Sequence, residues 1–137
     1  MKCFLYVVNI EKYVFQGYMK KIFVHGIEGM LNIYPGHSPL LTLIKPGLLH
    51  ITTEDMNDIF FYISNGILEV QPDIVHVLSD IIIHTNDLNY LSMIREKKKI
   101  IKKMDLCTSI VEKKFLKNQL LQISQKIRIS KIINSKP

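Results

Sequence analysis

Apolar positions in the first part of the chain come in short bursts of Val, Ile, Phe, Tyr and Leu. Turn-forming residues separate the bursts at intervals of about ten. Bursts of this length, rich in β-branched and aromatic residues, predict strands. Seven are expected: Phe4–Ile10, Tyr18–His25, Leu31–Tyr34, Leu48–Thr53, Ile59–Ser64, Gly66–Gln71 and Val75–Leu78. Lys45-Pro46-Gly47 offers Pro and Gly at the two central positions of a type II turn, where Gly would take positive φ. Asn65-Gly66 carries the signal of a tight hairpin. Gln71-Pro72-Asp73 punctuates the next pair of strands. Many short strands at this spacing argue for a sandwich or barrel.

The period changes near Asn86. Tyr90, Met93, Ile94, Ile100, Ile101 and Met104 fall at helical spacing, with Arg95, Glu96, Lys98 and Lys102 on much of the remaining surface. Asn86 or Asp87 is expected to cap this helix by accepting bonds from its free N–H groups. A break is expected at Asp105 to Ser109. A second helix follows from about Ile110 to Ile133, with Leu116, Leu120, Ile123 and Ile127 as its apolar stripe. Either helix alone is marginal in water, because nucleation is costly and the stripe is unburied. The expected fold is therefore an N-terminal β-sandwich or flattened barrel over 1–85, followed by a C-terminal antiparallel two-helix hairpin over 86–137.

Charge reinforces that division. The net +6 of the 137 residues is uneven: five Lys or Arg face nine Asp or Glu up to residue 90, and thirteen face three beyond it. With 47% hydrophobic residues the chain can build a core. Met1 to Val8 resembles a short signal segment, but Asn9, Glu11 and Lys12 interrupt it and no cleavage site follows. It reads as a first strand, and no stretch predicts a transmembrane helix. Cys3 and Cys107 form no CxxC pair, so no zinc site or disulfide framework is expected.

Candidate chemistry is sparse. His25, His37, His50, His76 and His84 make no HxxxH or HExxH pattern, and no nucleophile motif is present. Gly26-Ile27-Glu28-Gly29 lacks the GK[ST] ending of a phosphate-binding loop. Glu54, Asp55 and Asp58 read as a solvated loop. No catalytic residue, cofactor or metal ligand is nominated. The basic helices could neutralise phosphates, but they lack aromatic interleaving and any recognition motif. A nucleic-acid adaptor is the alternative reading, and a meeting with an acidic protein surface the preferred one.

The run Glu28 to Gly47, centred on Tyr34-Pro35-Gly36-His37-Ser38-Pro39-Leu40-Leu41 and closed by Ile44-Lys45-Pro46-Gly47, resembles the signature stretch of the epsilon subunits of F-type ATP synthases. Ser64-Asn65-Gly66-Ile67-Leu68-Glu69-Val70 resembles a later hairpin of the same family, and Phe15-Gln16-Gly17 also fits. The resemblance implies a β-sandwich followed by a helical hairpin, in agreement with the patterning. It also implies a non-catalytic subunit of the central stalk, peripheral on the cytoplasmic face of a bacterial inner membrane and reaching that membrane only through its complex.

Its implied partners are the gamma subunit, the ring of c subunits and, when the helices extend, the alpha/beta catalytic head. Glu28, Gly29 and Met30 match the contact with the c-ring, though Met30 stands where the family carries a second acid. His37, with Ser38 and Pro39, matches the gamma interface. Lys113, Lys114, Lys117, Lys126 and Arg128 are the candidates for an inhibitory basic tail. Some members bind ATP through [IL]-D-x-x-R-A at the start of the first helix. Here the window is Leu88-Asn89-Tyr90-Leu91-Ser92-Met93, which lacks the Asp and the Arg. Loss of the guanidinium removes a multidentate phosphate donor, so no useful ATP binding is expected.

Overall fold

A computed structural model describes residues 1–134, leaving aside the side chains of 132–134. The chain divides into two compact units, Met1–His84 and Thr85–Pro137. The last three residues of the expected helical domain, 135–137, lie outside the described ones.

The first unit is a nine-stranded β-sandwich: β1 Cys3–Val8, β2 Tyr13–Gly26, β3 Gly29–Ile33, β4 Leu40–Ile44, β5 Gly47–Thr53, β6 Asp58–Ile63, β7 Gly66–Val70, β8 Ile74–Ser79 and β9 Ile82–His84. β1 is enclosed between β2, antiparallel, and β8, parallel, with Phe4 opposite Ile74 and Val8 opposite Leu78. The order continues β8–β7–β4, and β4 touches β2 at Gly26 opposite Ile44. The second sheet is β3–β2–β5–β6–β9. Fourteen-residue β2 serves both sheets. Its register shifts between Met19 and Lys21, and such irregularities let one strand bend from one layer into another.

Alternation decides which faces turn inward. Cys3, Leu5 and Val7 on β1 are buried, as are Val75 and Val77 on β8, while the residues between them are not. Leu5, Ile22, Leu49, Ile51 and Leu68 reach zero exposure. Each such side chain contributes about 1.5–3 kcal/mol relative to leaving it in water.

Two turn expectations need correction. Gly47 does not take positive φ; it opens β5 in extended backbone, and a Cβ there would lie 2.8 Å from the His25 ring. Glycine is selected there for close approach. The type II arrangement occurs instead at Tyr34-Pro35-Gly36-His37: Gly36 has φ +86°, and the His37 N–H donates to the Tyr34 carbonyl at 3.1 Å. Asn65-Gly66 is not a hairpin turn, because β6 pairs with β5 and β9 while β7 pairs with β4 and β8. The segment is a crossing between sheets. A Cβ on Gly66 would meet the Leu78 carbonyl oxygen at 2.1 Å. The Ser79 hydroxyl, buried beside it, lies 3.0 Å from the Asn65 carbonyl oxygen and 3.0 Å from the Ser64 hydroxyl. Gln71-Pro72-Asp73 does join a hairpin, between β7 and β8, with Gln71 N–H donating to the Ile74 carbonyl. β4 and β9 were not among the expected strands.

The second unit begins with a 3₁₀ turn, Thr85–Asp87, followed by α1 Tyr90–Leu106 and α2 Ile110–Asn134. The cap is Asn89, whose side-chain oxygen accepts from the Ser92 N–H at 3.1 Å; the expected caps Asn86 and Asp87 belong to the preceding turn. Met93 and Ile100 on α1 and Cys107 at its C-cap recur every seven residues, as do Leu116 and Ile123 on α2. Met104, Leu120 and Ile127 pack around them. A seven-residue apolar repeat is the seam of an antiparallel coiled-coil pair. No helix among the described residues is long and apolar enough to cross a membrane.

Candidate functional site

The β2–β3 hairpin returns at Gly26 opposite Gly29, leaving Ile27 and Glu28 at the tip. Gly29 has φ +138°, a backbone open chiefly to glycine, which lets two residues reverse the chain. The Ile27 N–H donates to the Leu43 carbonyl at 2.9 Å, and the Lys45 N–H to the His25 carbonyl at 2.8 Å. These bonds lash the hairpin to β4 and the segment after it. Glu28, Gly29 and Met30 are all exposed, Met30 at 69%.

The segment Tyr34 to Pro39 is a second fixed loop. The Gly36 N–H donates to the Pro72 carbonyl at 2.8 Å, tying this turn to the β7–β8 turn. The His37 ring is half-buried and its Nδ1–H donates to the Ser38 carbonyl at 2.7 Å, while Ser38 and Pro39 are exposed. Beside it runs an open groove of about 520 Å³, lined by Pro39, Leu40, Leu41, Glu69, Val70 and Gln71.

β4 positions both candidate loops, one through the bond from Ile27 and the other by continuing directly from Pro39. It also carries residues that sequence patterning did not nominate. Leu43, Ile67 and Leu78 stand opposite one another on β4, β7 and β8 and remain 54%, 41% and 39% exposed. Leu41, on the same strand, is 72% exposed. Phe4, Tyr6, Tyr13 and Tyr18 continue the unit's apolar surface across β1 and β2 as a chain of ring contacts. The signal for β4 was present in Leu40-Leu41-Thr42-Leu43-Ile44, but a continuous apolar run between two prolines does not reveal which side faces out.

His25, on β2, packs edge-to-face against Phe23 and lies over Gly47. Burial, and secondly the charge of Lys45, hold its imidazole below the ordinary His range, so it stays neutral. His50 makes a 3.0 Å pair with the Asp58 carboxylate, which also accepts from Thr52 Oγ1 at 3.2 Å, and its ring stacks on Phe60. This places His50 in a surface cross-strand cluster on β5 and β6. Among the described residues no group of three His, Cys, Asp or Glu could hold a metal.

On α2, Lys113, Lys114 and Lys117 are exposed, as is Arg128. At 3.6 residues per turn these four fall on one side of the helix. Lys126 falls on another side, is half-buried and has a partner within the chain, so it does not belong to the free basic surface. In the window compared with the ATP motif, Asn89 is engaged as the cap and Met93 is buried in the hairpin seam.

The family described as "ATP synthase, Delta/Epsilon chain, beta-sandwich domain" matches residues 2–85. Among solved structures, a chain in the Euglena gracilis mitochondrial ATP synthase (OSCP/F1/c-ring) is similar over 98% of this chain and 80% of its own, with a TM-score of 0.74 and 15% identity. A chain in the central stalk and c-ring of the Tetrahymena thermophila mitochondrial ATP synthase is similar over 95% of this chain and 97% of its own, with a TM-score of 0.68 and 14% identity. At these identities the likeness is one of fold, and it extends over both units.

Proposed function

We propose that this chain, which belongs to the ATP synthase delta/epsilon family, is a non-catalytic subunit of the central stalk that couples the rotor to the catalytic head. The observation that carries the reading is the family match across the whole β-unit, and the exposed apolar residues on its outer face support it. Leu41, Leu43, Ile67 and Leu78 would lose water on docking, and apolar side chains of this kind anchor interfaces.

The gamma subunit is the partner assigned to that surface, with His37, Ser38 and Pro39 at its margin. The exposed Glu28-Gly29-Met30 hairpin is assigned to the ring of c subunits. Met30 makes that contact more apolar than a second carboxylate would. Association with a membrane follows through the complex. In this reading the α2 cations Lys113, Lys114, Lys117 and Arg128 restrain ATP hydrolysis by meeting an acidic surface of the alpha/beta head. Exposed pairs contribute about 0–1 kcal/mol each, so inhibition depends on several acting together and weakens with salt.

Co-purification tests the stalk role: gamma and the catalytic head should come down with the tagged chain, and their absence removes the proposal. Truncation after residue 87 tests the inhibitory role separately, because it should raise hydrolysis while leaving assembly intact. Unchanged hydrolysis would confine the chain to coupling. ATP binding to the isolated chain is expected to be absent, and a micromolar Kd in calorimetry would overturn that expectation.

A further inference from the structure

The outer face of β4, β7, β8 and β1 is laid out in rows, because residues directly opposite one another on neighbouring strands share a face of the sheet. One row is apolar: Leu43 beside Ile67 beside Leu78. Another, Ile74 beside Phe4, is apolar too. The row between them runs Leu41, Glu69, His76, Tyr6. It sets a carboxylate and an imidazole in the middle of an otherwise apolar and aromatic surface. The alternate residues Leu68, Val70, Val75 and Val77 fill the core, so Glu69 and His76 point outward.

Glu69 is already half-buried, with Leu41 directly beside it. It makes no ion pair among the described residues; its Oε1 accepts from Gln71 Nε2 at 3.3 Å. His76 stands opposite but does not pair with it. The imidazole lies flat on Tyr6 instead, with centroids 5.0 Å apart and planes 9° apart. Lys2, the cation next to β1, stands over Tyr18 on the far side and lies 3.8 Å from Glu54. The surface therefore carries a carboxylate that its own residues leave without a counter-charge.

Any partner that covers the two apolar rows also takes water from Glu69. A carboxylate that loses water without gaining a partner opposes binding, whereas one that meets a cation fixes register and rejects wrong partners. A wholly apolar partner is disfavoured here, and one with a cation set between apolar side chains fits. We propose that Glu69 is the residue by which this surface selects its partner, pairing with an Arg or Lys side chain that gamma presents between two apolar rows. This rests on the assignment of the surface to gamma.

The test is the affinity of the full chain for a catalytic head that carries gamma and lacks this subunit. Leu43→Asp with Leu78→Asp should abolish binding; unchanged binding overturns the gamma assignment and this proposal with it. Glu69→Leu should weaken binding at least about thirtyfold, because it strands the cation of gamma, while circular dichroism stays that of the parent chain. If the double Asp variant fails to bind but Glu69→Leu binds as well as the parent or better, this proposal alone is overturned. Glu69→Lys should not bind, and replacing one Arg or Lys of gamma by Glu should restore it; absence of any such rescue also overturns the pairing. Between about pH 8 and about pH 6, where imidazole takes up a proton, His76→Gln should leave the affinity within about threefold of the parent. A gain in affinity at the lower pH that His76→Gln removes would assign the counter-charge to His76 and overturn the role of gamma in it.

Discussion

The β-unit and the hairpin are held by different kinds of contact. In the β-unit, strands far apart in sequence enclose side chains that reach zero exposure, such as Leu5, Ile22 and Leu49. In the hairpin the seam is local and thinner: Met93, Ile100 and Cys107 keep 6%, 7% and 9% of their surface in water. The β-unit spends its apolar residues inside and still has a patterned outer surface to offer. The hairpin has a single seam, and large apolar residues beyond it stay in water. A unit with a full core can present a fixed surface, whereas a two-helix unit with one seam is the easier of the two to open.

The strongest way to break this contrast is Gly66→Val. A side chain cannot share space with the Leu78 carbonyl, so the crossing must move, at more than the roughly 1–3 kcal/mol of ordinary overpacking. Urea unfolding should find the β-unit lost or barely stable, and near-native stability would refute the close-approach account. Leu49→Ala should cost about 2–5 kcal/mol by the same measurement, as a cavity in a sealed core.

Ile123→Ala sharpens the comparison from the other side. It should lower the hairpin's stability by roughly 2–3 kcal/mol, seen as faster amide exchange across 90–134. Protection in β1, β2 and β8 should be unchanged, and a parallel loss there would mean that the units unfold as one. Asn89→Ala removes the α1 cap and should cost about 1 kcal/mol, read as fraying of the first turn in the same exchange experiment.

The smallest effect is a pH dependence. The folded His25 resists protonation, whereas the unfolded chain takes up a proton near the ordinary value of 6.5. Stability contributed at neutral pH should therefore decline as pH falls through 6.5 toward the lowered folded value. His25→Gln should flatten that part of the urea midpoint against pH. An unaltered slope would assign it to other groups.

The comparison also explains what could be read from sequence. Alternation in β1 and β8 was legible because one face of each is buried and the other is not. The coiled-coil seam was legible because its period repeats. The Pro-Gly pairs at 35–36 and 46–47 look alike in sequence and do different work. Gly36 supplies a positive φ, while Gly47 makes room for His25, a residue more than twenty positions away. Asn65-Gly66 misleads for the same reason, since a tight turn and a crowded crossing both select glycine. β4 was hidden because its outward leucines are as apolar as its inward residues. The loops Glu28–Met30 and His37–Pro39 were legible as motifs, but the strand that positions both was not. Lys126 illustrates the limit for charge: helical spacing assigns it a side, but only the fold reveals that it has a partner.

The parallel pairing of β1 with β8 sets a timetable for synthesis. Phe4 and Ile74 are 70 positions apart in the chain. At 5–20 residues per second the first strand waits roughly 4–14 s for that partner to be made. During this interval one border of β1 can be covered by β2 and the other cannot. The β-unit therefore closes late and nearly all at once, when its eighth strand emerges, while the hairpin joins two consecutive helices and can form as soon as they are made.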